Sequence, residues 1–221
     1  MPVWEDKYNE QKDFVEDFTN KSPAYPISQT TDNRQLILKM VDDSEILEKF
    51  AVESTRNEAF NLLLKKYQQK IYWHIRRLVI EHDDTDDLVQ EVFIKVWKSL
   101  SNFRSDSQLY TWLYRIATNE SITFLNRKKQ KNNISLDETA GYELAETLAD
   151  SAYFDGDKAQ MKLQKALLTL PEKQRLVFNM KYYDDLKYEE ISEILGTTVG
   201  GLKASFHIAV KKIEDYLLNT D

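Results

Sequence analysis

The sequence contains no cysteine and only three histidines, and these absences exclude several classes of protein. Without cysteine the chain can form neither disulfides nor thiolate metal sites. The histidines His74, His82 and His207 are widely spaced, which disfavours a histidine-based metal site. With only five glycines and four prolines in 221 residues, long uninterrupted helices are possible.

Long hydrophobic runs are also missing. No apolar stretch approaches the length of about 20 residues that a membrane-spanning helix needs. The first residues, MPVWEDKYNEQKDFVED, are acidic and lack the apolar core of a signal peptide. We therefore expect a soluble cytoplasmic protein without membrane insertion, and the residues give no reason to expect an enzyme, a bound metal or another cofactor.

Charge of one sign is in excess but is unevenly distributed. The net charge of −7 argues against tight DNA binding by the chain alone, because acidic blocks repel phosphates. Basic segments at 56–77 and 115–131 nevertheless alternate with acidic segments at 81–91 and 137–157. A protein that works together with a second, basic subunit could carry this balance.

Periodicity divides the chain into four segments and predicts an all-α protein. Residues 1–31 form an N-terminal extension, and residues 32–131 show apolar positions at helical spacing. Residues 132–157 are acidic, contain no basic residue and show no period, which indicates a flexible linker. Residues 158–221 are helical again. The sequence thus predicts two small helical domains joined by an acidic linker.

The stretch from Phe103 to Lys131 interleaves aromatic rings with cations. Such a pattern can stack on unpaired bases while holding phosphates, although an amphipathic helix with core aromatics would look similar. We predict a helix from about Gln108 to Lys128, with two stripes. The predicted core stripe is Leu109, Leu113, Ile116, Ala117 and Phe124; the second stripe, Tyr110, Tyr114, Thr118 and Ser121, is predicted to lie outside the core. We expect His74 on a helix surface or packing edge.

Near the C-terminus, YEEISEILGTTVGGLKASFHIAVKKIEDYLL predicts two helices joined by a glycine turn. The first helix covers Tyr188–Leu195, Gly196 makes the turn, and Thr197 or Thr198 caps the second helix. This is the layout of a helix-turn-helix, whose second helix enters the major groove of DNA. Helical hairpins that do not bind DNA share this layout.

Four motifs occur in the order DDLVQEVFIKVW, FRSDSQLYTWLYRIATN, LPEKQRLVF and YEEISEILG. In this order the chain resembles bacterial sigma factors of the extracytoplasmic-function (ECF) type, from about Asn57 to Leu217. The resemblance implies a region 2 helical bundle at 32–131 and a region 4 helix-turn-helix domain at 158–221. It also implies a factor that binds core RNA polymerase, directs it to promoters and helps open the DNA.

The resemblance assigns partners and residues. Implied partners are core RNA polymerase, through its β′ clamp helices and β flap, promoter DNA, and an anti-sigma factor. The implied polymerase-binding residues are Asp84, Asp87, Leu88, Gln90, Glu91 and Phe93. The residues implied for the −10 element are Phe103, Arg104, Tyr110, Trp112, Tyr114, Arg115, Asn119, Arg127 and Lys128. Those implied for the −35 element are Thr197, Thr198, Gly201, Lys203, Ala204, Ser205, His207, Lys211 and Lys212.

The chain departs from the family pattern in the second helix of the helix-turn-helix. Where the family often carries arginines, this sequence has Ser205, Ile208 and Val210. Guanine readout by bidentate arginine is therefore disfavoured, and contacts to phosphates together with indirect readout are expected instead. Lys187 also stands where a capping serine is common.

Two other functions compete with this interpretation. A stand-alone helix-turn-helix repressor or activator would need tight duplex binding without polymerase, which the acidic balance disfavours. A nuclease would use the carboxylates between Asp83 and Glu91 with Mg²⁺. Two-metal sites need carboxylates that converge from different elements, whereas one acidic helix N-terminus accounts for these residues.

Overall fold

The computed structural model describes residues 41–131 and 158–219. The predictions for the N-terminal extension and for the acidic linker concern residues outside these ranges. Within the described ranges the regular structure is helical, as predicted. The α-helices are α1 Asp43–Ala51, α2 Arg56–Val79, α3 His82–Ser99, α4 Leu109–Lys131, α5 Lys158–Leu168, α6 Glu172–Tyr182, α7 Tyr188–Leu195 and α8 Val199–Asn219, with short 3₁₀ turns at Glu53–Thr55 and Leu100–Asn102.

The chain forms two compact units. Among the described residues, 41–76 together with 81–120 make the first unit, and 77–80 together with 121–131 and 158–219 make the second. Each unit is described by itself below. In the ranges 41–131 and 158–219, no helix is both long and apolar enough to cross a lipid bilayer.

The core of the first unit follows the apolar spacing of α2. Phe60, Leu63 and Leu64 are fully buried, and so are Ile71 and Ile75 two turns later. Positions three and four residues apart share one helix face, so this spacing turns a single face of α2 inward. The core is completed by residues of α3 and α4, namely Val92, Phe93, Val96 and Leu113. Burial of each such side chain contributes about 1.5–3 kcal/mol.

Aromatic rings pack the end of α1 and the start of α2 against α3. The Trp97 ring lies 5.4 Å from the Phe50 ring and 4.8 Å from the Phe60 ring, both edge to face. Edge-to-face pairs of this kind stabilise beyond their buried area by about 0.5–1.5 kcal/mol. Trp97 therefore joins α1, α2 and α3, which explains its place in a helix that is otherwise acidic on its outer side.

A partly buried cluster of hydrogen-bonded polar side chains links α1 to α2. The Tyr67 hydroxyl donates to Asp43 Oδ1 at 2.6 Å, and Lys66 Nζ donates to the same oxygen at 2.8 Å. Burial, with help from the Asp43 carboxylate, raises the pKa of Tyr67, so the hydroxyl stays protonated and remains a donor. The N-terminus of α1 is thus held on α2 by a charged hydrogen-bonded cluster.

The second unit has a smaller core in its last four helices. This core contains Ala166, Leu167, Leu170, Phe178, Ala209 and Ile213. The Phe178 ring stacks on the Phe206 ring at 5.6 Å, which joins α6 to α8. Pro171 is the N-cap of α6, and its carbonyl accepts from the amides of Gln174 and Arg175.

The predicted helix-turn-helix is present, with the predicted bounds for its first helix. Gly196 adopts φ 63°, the left-handed conformation that ends α7. The Gly201 amide donates to Thr198 Oγ1 at 3.3 Å, so Thr198 caps α8. Lys187 cannot act as a side-chain cap, but its amide donates to Glu190 Oε2 at 2.7 Å, which satisfies one donor at the start of α7.

Candidate polymerase and nucleic-acid interfaces

The outer face of α3 carries an acidic surface. Asp87 and Glu91 are exposed, and at a separation of four residues they share one face of the helix. Asp84 and Gln90 are half-buried beside them. These four residues, Asp84, Asp87, Gln90 and Glu91, are called the α3 acidic face below. The surface can accept charge-assisted hydrogen bonds from a cationic partner.

The N-terminus of α3 lies earlier than the aspartates suggest. Asp83 and Asp84 are residues of a type that favours the N-cap, but the helix begins at His82, and the side chain of its N-cap residue Glu81 makes no capping hydrogen bond. Asp83 and Asp84 lie in the first turn instead, where the helix dipole favours anions. The carboxylates therefore stabilise the end of the helix electrostatically.

One carboxylate in this turn is paired with a histidine. Asp86 Oδ2 lies 3.0 Å from His82 Nδ1. Burial raises the pKa of Asp86, and the charge of His82 opposes that rise. The nearby Asp83 and Asp87 carboxylates raise the pKa of Asp86 further. The nearby Arg76 guanidinium lowers the pKa of Asp86, so this carboxylate already has a cationic neighbour.

Two of the predicted polymerase-binding residues lie beneath this surface. Leu88 is 2% exposed and Phe93 is fully buried, so both belong to the core of the first unit. In this structure they support α3 from below, and only the charged and amide members of the set reach the outside. A direct contact of Leu88 or Phe93 with polymerase stays a prediction.

The turn before α4 and the first turns of α4 carry a partly exposed aromatic pair. Ser105 has φ 58°, which folds the chain sharply between Phe103 and the helix. The rings of Phe103 and Trp112 lie 5.3 Å apart, and both side chains are half-buried, as is Tyr110. Half-buried rings expose a face or an edge to solvent, and unpaired bases can stack there.

Exposed cations and one amide follow these rings along the chain. Arg104, Arg115 and Arg127 are exposed, and Asn119 is exposed one turn beyond Arg115. The Lys128 ammonium lies 6.0 Å from the centre of the Phe124 ring, at the basic end of α4. Guanidinium groups beside aromatic rings suit phosphates next to stacked bases. Trp112, Arg115 and Asn119 share one face of the helix, and together with Phe103 they are called the α4 surface below.

The prediction that Tyr114, Thr118 and Ser121 lie outside the core was wrong, because all three are buried. Thr118 Oγ1 donates to the Tyr114 carbonyl at 2.7 Å and lies 2.9 Å from His74 Nε2. A hydroxyl has one proton, so His74 Nε2–H donates to Thr118.

His74 was expected at a surface or packing edge, and it is instead fully buried, with its ring 4.8 Å from that of Tyr114. Among the five residues predicted for the core stripe, Leu109, Leu113 and Ala117 are buried, whereas Ile116 and Phe124 are half-buried. The polar side chains thus enter the core because they hydrogen-bond to one another.

The residues predicted for the −35 element lie along the outer part of the helix-turn-helix. All of them are exposed except Ser205, which is half-buried: Thr197, Thr198, Gly201, Lys203, Ala204, His207, Lys211 and Lys212. On the other side of α8, Leu202, Ala209 and Ile213 are buried. The helix therefore has one face for the core and another face available to a ligand.

Two residues that sequence reasoning missed belong to this surface. The Tyr188 ring lies beneath the ammonium groups of Lys181 and Lys203, at 5.5 Å and 5.7 Å from its centre. Lys181 Nζ also donates to the Leu186 carbonyl at 3.1 Å. Tyr188 thus gathers two cations beside the start of α7. The sequence gives no signal for this contact, since the three residues come from three different helices.

Comparisons with known proteins agree with this arrangement. The family model for sigma-70 region 2 matches residues 63–131, and the model for sigma-70 region 4 matches residues 160–213. The chain is 30% identical over 184 residues to the ECF RNA polymerase sigma-E factor of Haemophilus influenzae, covering 80% of this chain and 96% of the relative. It is 32% identical over 171 residues to the ECF RNA polymerase sigma-E factor of Escherichia coli K12, covering 74% and 89%.

A solved structure shares the fold. The sigma factor RpoE, in complex with the anti-sigma factor NepR from Bartonella quintana, aligns with a TM-score of 0.59 and 21% identity. The alignment covers 73% of this chain and 98% of that chain. Both helical units described above thus have counterparts among known proteins.

Proposed function

Because this chain belongs to the ECF-type sigma factors, which direct RNA polymerase to promoters, we propose that its first unit binds core polymerase through the α3 acidic face. A sigma factor is a transcription initiation factor and not an enzyme. The observation that carries the proposal is the exposure of Asp87 and Glu91 on one helix face, above a fully buried Phe93. The β′ clamp helices are the proposed partner.

The α4 surface is proposed to capture the −10 element as its strands separate. Extruding a base from the duplex costs a few kcal/mol, and stacking on an aromatic ring returns about 1–3 kcal/mol. Phe103 and Trp112 offer rings, Asn119 offers an amide for the edge of a base, and Arg115 offers a charge for a phosphate. Opening of the promoter would follow from the stability of the captured base.

The helix-turn-helix is proposed to bind the −35 element as a duplex. Its exposed cations, Lys203, Lys211 and Lys212, suit phosphates on either side of the major groove. The proposed boundaries are an extension at 1–31, region 2 at 32–131, a linker at 132–157 and region 4 at 158–221. The β flap of polymerase is the proposed protein partner of region 4.

An anti-sigma factor is proposed as a further partner. The fold relative RpoE was solved in complex with the anti-sigma factor NepR, so this fold can be bound by such a protein. Copurification with the full chain from its native cells would identify the partner. A chain recovered from unstimulated cells without any bound protein would contradict this part of the proposal.

Run-off transcription tests the main proposal. Purified core polymerase is incubated with the full chain and a pool of genomic fragments, and the transcripts are sequenced. We expect transcripts that start at defined positions only when the chain is present. Absence of stimulation together with absence of core binding would refute the proposed function; duplex binding without polymerase would favour a stand-alone regulator.

Two variants separate promoter opening from polymerase binding. Phe103→Ala and Asn119→Ala should each lower the amount of open complex about tenfold, because each removes about 1–3 kcal/mol of base contact. Core binding should stay within about twofold, as expected for surface changes away from α3. Asn126→Ala is the matched control, since Asn126 is exposed on the same helix and outside the predicted set. Equal losses of opening and core binding would indicate structural damage.

A further inference from the structure

The helix α8 carries a stripe without charge on its exposed side. The stripe consists of Gly201, Ala204, Ser205 and Ile208, at positions i, i+3, i+4 and i+7 of the helix. At 100° per residue these four positions fall within about 100° of arc, so they form one narrow face. This face is called the α8 stripe. It follows the Thr198 cap, in the N-terminal half of the helix that enters a groove.

Ile208 is the unusual member of the α8 stripe. It is 44% exposed, one of four large hydrophobic side chains in the described ranges that are exposed. The buried face of α8, with Leu202, Ala209 and Ile213, does not include it. Ile208 therefore has no role in the core that accounts for an isoleucine at this position.

Lysines indicate what covers the stripe. Lys211 is exposed along its outer edge beside the imidazole of His207, and Lys212 is exposed at its C-terminal end. Lys203 lies farther round the helix, over the Tyr188 ring. An apolar stripe bordered by cations complements a major groove, in which base edges lie between two rows of phosphates. A neutral apolar partner would leave these cations without counterions.

The chemistry of the major groove indicates which group on a base edge the exposed isoleucine can contact. Among the base edges in the major groove, only thymine presents an apolar group, its C5 methyl. An isoleucine placed opposite a polar base edge would strip water from that edge without replacing its hydrogen bonds. The same side chain placed opposite a methyl buries both apolar surfaces, so it favours thymine and disfavours the other bases.

We propose that Ile208, with Ala204 beside it, reads thymine methyl groups in the −35 element through apolar contact. The proposal rests on the proposed binding of the −35 element by region 4. It assigns to Ile208 a specificity role in place of the guanine readout that an arginine would give. Ser205 can donate or accept, and so adjusts to the neighbouring base.

The test begins with a selection that does not depend on this inference. Holoenzyme made from the full chain and core polymerase selects from linear duplexes with a randomised −35 segment. A recovered consensus supports the proposed function of region 4, and failure to recover any consensus refutes that function. Recovery of a consensus without thymine refutes the inference alone.

Deoxyuridine then replaces each thymine of the selected duplex in turn, which removes only the methyl group. We expect affinity to fall about fourfold at one or two positions, the loss that corresponds to one buried methyl-sized group. Sensitivity at no position would overturn the inference while leaving the proposed function in place.

The variant Ile208→Ala assigns the contact to this residue. Holoenzyme with this variant should bind the thymine duplex about fourfold more weakly than the parent holoenzyme. Replacing the sensitive thymine with deoxyuridine should then cause no further loss of affinity. Ile208→Arg should shift the selected base towards guanine. Leu218→Ala is the matched control, because Leu218 is 83% exposed on the same helix and lies outside the stripe. Full deoxyuridine sensitivity in Ile208→Ala would refute the assignment.

Discussion

The two units relate their predicted binding residues to their cores in opposite ways. In the first unit, Leu88, Phe93 and Tyr114 are at most 4% exposed and form part of the core. In the second unit, the residues predicted for the −35 element lie on the outer part of the helix-turn-helix, while Leu202 and Ala209 of α8 are buried. Binding and stability are therefore expected to be coupled at these three positions of the first unit and separable in the second unit.

The difference has a physical origin in how the helices are used. Helix α4 places Thr118 between His74 and the Tyr114 carbonyl, so that polar groups of a predicted binding segment satisfy one another inside the core. Helix α8 keeps its polar and charged groups outside and buries aliphatic ones. Removing any member of a buried hydrogen-bonded network lowers the stability of the fold, whereas an exposed lysine can be replaced with little effect on stability.

The largest effect is expected from Phe93→Ala. Truncating this fully buried ring should lower the free energy of unfolding of the first unit by about 3–5 kcal/mol. Hydrogen exchange of core amides in the full chain measures this value for each unit. Val52→Ala, at a 53% exposed position, is the control and should change little. Lost polymerase binding with unchanged stability would show instead that Phe93 is a contact residue.

Reversing charge on the α3 acidic face should have the next largest effect. Asp87→Lys combined with Glu91→Lys should weaken core polymerase binding at least about 100-fold, or about 2.7 kcal/mol, because like charges meet at the interface. Stability should stay within about 0.5 kcal/mol, since both side chains are exposed.

Competition for labelled core polymerase measures this binding. Glu48→Lys is the matched control, an exposed acid on α1 that lies outside the predicted face. Retained affinity in the double variant, or an equal loss in the control, would break the assignment of α3 as the docking helix.

A smaller effect is expected at the turn of the helix-turn-helix. Gly196→Ala should destabilise the second unit by about 1–2 kcal/mol, because an L-residue is strained at φ 63°. The space around Gly196 is open, so the cost is conformational and not steric. Gly200→Ala, also in open space but within α8, should instead stabilise by up to about 1 kcal/mol. Thermal unfolding that gives the same sign for both would contradict this account.

The smallest effect on stability is expected for the exposed lysines beside the α8 stripe. Lys211→Gln should leave unfolding unchanged and reduce the salt dependence of holoenzyme binding to the selected duplex by about one counterion. The slope of log affinity against log salt measures this change. Lys173→Gln, at an exposed position on α6, should leave the slope unaltered. An unaltered slope for Lys211→Gln would remove it from the phosphate contacts.

Much of the second unit was predictable from local pattern. The apolar spacing of 188–195, the glycine at the turn and the threonine before α8 each act within a few residues, so the helix bounds followed. The cation pair on Tyr188 was not predictable, because Lys181 and Lys203 meet the ring only through the tertiary fold.

The first unit was less predictable at its polar positions. The helical spacing of apolar residues predicted for 32–131 is confirmed in α2, where Phe60, Leu63 and Ile71 are buried. The placement of Thr118 and His74 failed, because a polar side chain enters a core only when a partner satisfies it, and here the partner is 44 residues away. Leu88 and Phe93 likewise belong to a motif with an exposed acidic face, yet both side chains are buried in this structure.

The most direct test of coupling compares Tyr114→Ala with His207→Ala, one predicted DNA contact from each unit. Hydrogen exchange of core amides gives the unfolding free energy of the affected unit in the full chain. We predict a loss of about 3 kcal/mol or more for Tyr114→Ala, because its ring is buried beside His74. His207→Ala should stay within about 0.5 kcal/mol, since its side chain is exposed. Equal changes in the two variants, or an undiminished stability of Tyr114→Ala, would contradict the account.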